Sequence, residues 1–134
     1  MRLISLSLGV LAAAALSMLP LAAHHSFSAE FDGSKPITLE GVVTRVDWAN
    51  PHVYFFVDVK SADGSVVNWA CETDGPNALI RRGWRRDSMK VGDRVTINAY
   101  LARDGSKLVD SRLVTLADGR KIFAGSSDDG GPKK

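Results

Sequence analysis

The chain has 134 residues, 17 basic and 15 acidic side chains, a formal net charge of +2 and 45% hydrophobic residues. This is enough chain for one domain, and the near balance of charge gives no global field that would draw nucleic acid. With Cys71 as its sole cysteine it cannot close an internal disulfide, so its fold must rest on an apolar core.

Residues 1–23 have the pattern of a secretory signal peptide. Arg2 supplies the positive start, Leu3 to Leu19 is apolar and uncharged, Pro20 breaks the run, and Leu21-Ala22-Ala23 ends on a small residue. A retained membrane anchor is the alternative. Against it, the run is short for a span, it contains three serines, and no basic cluster follows. Cleavage after Ala23 leaves a mature chain of roughly 110 residues, expected in the periplasm with no membrane attachment.

The mature chain opens with an N-terminal segment, residues 24–36. Phe27 and Phe31 are four apart, so a short helical turn would bury both. Gly33-Ser34-Lys35-Pro36 reads as a turn. A β domain follows over residues 37–124. Its first strand runs from Ile37 to Trp48, with Gly41 marking a bend or bulge. Asn50-Pro51 turns the chain into a second strand, Val53 to Lys60. There Val53, Phe55, Val57 and Val59 alternate with His52, Tyr54, Phe56 and Asp58, and the first set reads as a core face.

Asp63-Gly64 makes a hairpin into a third strand, Val66 to Glu72. Thr73-Asp74-Gly75-Pro76 then starts the one good helix of the mature chain, Asn77 to Arg82, and Gly83 ends it. A fourth strand, Arg94 to Leu101, and a fifth, about Lys107 to Leu116, are joined by Asp104-Gly105. Lys121-Ile122-Phe123 adds a short edge strand, and residues 125–134 are too polar to bury and read as a disordered tail. Three strands, a short helix and two strands is the order of an all-β, five-stranded Greek-key barrel of the oligonucleotide/oligosaccharide-binding (OB) type. A β-sandwich is the other fold with such strand spacing.

Several blocks together resemble a known family. They are H-H-S-F after the signal peptide, E-F-D-x-x-K-P-I-T-L-E-G-V-V, W-A-N-P-H, P-N-A-L-I-R-R-G-W and L-A-D-G-R-K-I-F. They look like the bacterial exported proteins grouped as domain of unknown function 6152, over about residues 24 to 125. The resemblance implies a small exported β-barrel and no established activity.

The chemistry begins with the histidines. Cleavage after Ala23 makes His24 the amino terminus, and its amine and ring can chelate one metal ion together. A third nitrogen from His52 would complete a T-shaped brace suited to copper(II), the head of the divalent affinity series. His25 offers a competing local chelate. The alternative is that His24 and His25 are a polar start to the chain and that His52 bonds a turn carbonyl.

A second candidate surrounds Gly83. Arg81, Arg82, Arg85 and Arg86 could bind an anionic glycan or a periplasmic protein partner, with Trp84 as a stacking platform. The alternative is a solvated helix end with Trp84 closing the barrel. Tyr54 and Phe56 could add an aromatic ligand face, whereas Trp69 shares a strand face with Val67 and Cys71 and reads as core. The carboxylates form no spaced acid/base pair, and there is no nucleophile elbow, phosphate loop or zinc signature. A binding protein, and not an enzyme, is the expectation.

Overall fold

The structure is a computed structural model and describes residues 26–125. The expected signal peptide, His24, His25 and residues 126–134 of the expected tail lie outside the described residues.

The described chain is mostly β. A one-turn helix, α1 (Phe27–Glu30), leads into β1 (Phe31–Asp47), β2 (Tyr54–Lys60) and β3 (Val66–Glu72). A second short helix, α2 (Pro76–Arg81), precedes β4 (Arg94–Ala102), β5 (Leu108–Thr115) and β6 (Lys121–Phe123). No helix of the described residues is long and apolar enough to cross a membrane.

The six strands form one sheet in the order β3-β2-β1-β4-β5-β6. Neighbours in that order are antiparallel. β3 also pairs with β5 in parallel, through Ala70 and Leu108, Cys71 and Val109, and Glu72 and Asp110. The pairings of β1 to β5 therefore run in a ring. Strands 2 to 6 and α2 fall within one residue of their sequence-predicted limits.

β1 differs from expectation. It starts at Phe31, not Ile37, so the expected turn and the segment boundary at residue 37 fall inside the strand. The register against β4 slips between Phe31 and Pro36. The turn-forming residues thus make an irregularity in a strand that resumes on both sides. The local cause is Asp32, whose carboxylate accepts from the Ser34 amide at 3.0 Å and its hydroxyl at 2.7 Å. The tertiary cause is Phe31. Its ring stacks on Phe27, and together with Ala102 the two make a small second core, separate from the main one.

The main core draws on β1 to β6 and the α2 segment. Val53, just before β2, and Phe55 and Val57 on one face of it join Val43, Trp69, Cys71, Ile97, Val109 and Val114. Burying each such large side chain stabilises by about 1.5–3 kcal/mol. The α2 segment covers one end of this core with Leu79, Trp84 and Met89. Gly83 makes the required sharp exit at φ 95°.

Two further devices bend the sheet. Gly41 lets β2 come close, since a Cβ there would lie 2.6 Å from the Asp58 carbonyl oxygen. On β5 the register slips between the Asn98 and Ala99 partners, Leu113 and Ser111, which leaves Arg112 as the extra residue. The bulge breaks the alternation, so Asp110, Ser111 and Arg112 are all buried in succession. Asp110 and Arg112 form an ion pair there, and the Arg112 guanidinium lies 4.7 Å from the centre of the Phe27 ring.

Candidate functional site

The site is built where β2 begins and β3 ends. The Asn50-Pro51 peptide bond is cis. The segment after it is tied to the exit of β3 by three bonds. The Thr73 amide and hydroxyl both donate to the Val53 carbonyl, at 3.0 and 2.8 Å, and the Val53 amide donates to the Asp74 carbonyl at 3.2 Å. Gly75 leaves room for this turn, because a Cβ there would lie 2.6 Å from the Pro51 carbonyl oxygen.

His52 is thereby held beside Thr73. Its Nδ1 lies 2.9 Å from the Thr73 carbonyl oxygen and 3.5 Å from Glu72 Oε1. A carbonyl oxygen only accepts, so the shorter contact requires a proton on Nδ1. In the neutral ring the lone pair is then on Nε2. Glu72 is buried, and the Tyr54 hydroxyl donates to its Oε2 at 2.6 Å. Tyr54 and Glu72 are opposite one another in the β2–β3 register. Burial first, and then the bond and charge of Glu72, push the Tyr54 phenol above its usual pKa of 10.

His52, Tyr54 and Glu72 line a cavity of about 530 Å³, and Ala29 and Glu30 of α1 line the same cavity. Arg103 fixes α1 in place. Its amide donates to the Glu30 carbonyl and its Nε to the Ser28 carbonyl, both at 2.9 Å. The carboxylates of Glu30, Glu72 and Asp104 outnumber Arg103 around the space, so its charge favours a cation.

The other sequence candidates are placed elsewhere. Phe56 is half-buried on β2, with the Arg45 guanidinium 3.8 Å from its ring centre. Arg82 is used within the fold. It pairs with Asp74 at 3.1 Å, donates to the Gly125 carbonyl at 2.8 Å and sits 5.2 Å from the Phe123 ring centre. Arg81 and Arg85 are exposed, and Trp84 is 3% exposed with its ring in the main core. Trp69 and Cys71 are buried too, and burial pushes the Cys71 thiol up to about 12.

Sequence reasoning missed Glu72 and Glu30 as site residues. The signal for Glu72 was present, because a hairpin centred on Asp63 sets position 54 opposite position 72. Glu30 carried no such signal, since only the docking of α1 brings it to this cavity. Among the described residues there is no cluster of three or more His, Cys, Asp or Glu side chains that could hold a metal ion.

Fold and site together define a small, mostly β protein with an acidic cavity where β2 and β3 meet its first described helix. The chain belongs to the family of unknown function DUF6152, which matches residues 11–109. No curated protein and no solved structure matches it significantly.

Proposed function

We propose that this chain is an exported periplasmic binding protein, an OB-type barrel, whose ligand is copper(II). The ligands are the amine and ring of His24, made terminal by signal-peptide cleavage, and Nε2 of His52. His25 is the competing local ligand. The observation that carries this reading is the 2.9 Å contact between His52 Nδ1 and the Thr73 carbonyl. It commits one ring nitrogen to the backbone and leaves the other for a metal, the usual arrangement behind a ligating histidine.

Two features support the pairing with the amino terminus. The described chain begins at Ser26, one residue before the helix that lines the His52 cavity. His24 is two residues further back, a reach of roughly 7 Å. The carboxylates around the cavity also favour a divalent cation over an anion. Nitrogen donors then favour copper(II) over zinc or nickel.

The test is a copper(II) titration of periplasm-purified protein by calorimetry, with the amino terminus checked by intact mass. Sub-micromolar one-to-one binding, lost in His52→Ala and in a chain extended by one glycine before His24, is the expected result. Tight binding that survives His52→Ala would move the site to His24 and His25 alone. Binding no tighter than that of an unstructured peptide would overturn the proposal.

A further inference from the structure

The arginines around Gly83 divide into two kinds. Arg82 is engaged by Asp74, Gly125 and Phe123. Arg81, Arg85 and Arg86 pair with no carboxylate among the described residues, and all three are exposed. Asp87, the adjacent acid, is exposed and pairs with none of them.

Helix capping does not account for these three side chains. The last carbonyls of α2 are met by backbone amides: Arg82 and Trp84 donate to Leu79 at 3.0 Å, and Gly83 donates to Ile80 at 3.0 Å. The Arg85 amide is also satisfied, by the Ser88 hydroxyl at 2.8 Å. The guanidinium of Arg85 is left over, and that of Arg86 has only the Trp48 ring, 6.0 Å away.

Beside them is a cavity of about 470 Å³ lined by Ile80, Gly83, Trp84, Arg85 and Arg86. Ile80 is 55% exposed and gives the cavity an apolar wall open to a ligand. Trp84 contributes one irregularity. It is buried, yet its indole Nε1 has no hydrogen-bond acceptor among the described residues. Natural folds seldom leave a buried donor without an acceptor.

An exposed aliphatic side chain and two exposed guanidinium groups without a carboxylate partner among the described residues line one cavity. We infer that the cavity between α2 and Arg86 binds a small amphiphilic carboxylate. Its hydrocarbon part lies against Ile80, at the rim where Trp84 closes the cavity, and its carboxylate is held by Arg85 and Arg86. The volume suits a small molecule of this kind. Because the Trp84 ring is buried, the site is not a platform on which a sugar ring could stack, which separates this ligand from a glycan. The site shares no residue with the His52 cavity and does not depend on copper.

The experiment is a titration of the mature protein with sodium octanoate, followed by the indole N–H signal of Trp84 in proton–nitrogen NMR and assigned with Trp84→Phe. A saturable change at this signal is expected. Octanamide, which has the same chain without the charge, should not reproduce it. The double variant Arg85→Gln, Arg86→Gln should weaken octanoate at least about tenfold while leaving the dispersed amide spectrum intact. If that double variant loses its dispersed spectrum, Arg85→Gln alone replaces it and must still weaken octanoate. No saturable change, an equal response to octanamide, or an unchanged affinity in the folded arginine variant would each overturn the inference.

Discussion

His52 Nδ1 and the Thr73 carbonyl oxygen lie 2.9 Å apart, across the junction where β2 starts and β3 ends. The contact fixes the tautomer of the neutral ring, because only a protonated Nδ1 can use a carbonyl. Long-range proton–nitrogen NMR of the neutral, metal-free protein should therefore show His52 protonated at Nδ1. Added copper(II) should broaden the Nε2 side first. A ring protonated at Nε2 would remove the basis for the metal proposal.

Tyr54→Phe deletes the 2.6 Å bond to Glu72 and leaves a buried carboxylate short of a donor. The expected cost is about 1–2 kcal/mol, read as a lower urea midpoint with an unchanged slope. The phenol also bears on alkaline stability. Its folded pKa is raised above 10, so this contribution is complete below pH 10 and is lost as pH rises through the folded value. The Tyr54→Phe variant should lose stability less steeply than the parent above pH 10.

Cys71 makes a parallel prediction. It is fully buried, and desolvation takes its thiol from 9.0 up to about 12. The folded protein should resist an aromatic disulfide reagent at pH 8 and react once unfolded in urea. A raised value means stability is complete below pH 9 and is lost as pH climbs towards 12. Rapid labelling of the folded chain would contradict the buried position.

The turn carboxylates act at the other end of the scale. Hydrogen bonds from Ser34, Ser65 and Ser106 hold Asp32, Asp63 and Asp104 below the ordinary 3.8, and those from Arg120 do the same for Asp118. Depressed values stabilise above pH 3.8, and that stabilisation is lost as pH falls through the folded values. Unfolding midpoints between pH 5 and pH 2 should fall less in Asp63→Asn than in the parent.

Gly41→Ala tests the close approach of β2. The new methyl would meet the Asp58 carbonyl oxygen at 2.6 Å and a Val59 methyl at 3.1 Å, and a backbone atom cannot turn away as a side chain can. Destabilisation of about 2–3 kcal/mol is expected from chemical denaturation. Phe27→Ala should cost about 3 kcal/mol by removing the ring between Phe31 and Tyr100. Because α1 lines the His52 cavity, that variant should also weaken copper(II).

The strands, the α2 helix and the core face of β2 were legible in the sequence, because alternation and turn chemistry act over a few residues. The Asp63-Gly64 hairpin even held the Tyr54–Glu72 pair, for anyone who counted its register. Local signals also misled, at Gly33 to Pro36. There the turn chemistry is present, but Phe31 anchors the start of the strand ahead of it, through contacts with Phe27 and Ala102. The parallel pairing of β3 with β5, the burial of Trp84 and the arrival of Glu30 beside His52 were decided only by tertiary structure. Each joins segments distant in the chain, and no local periodicity encodes which distant partner will cover a given apolar surface.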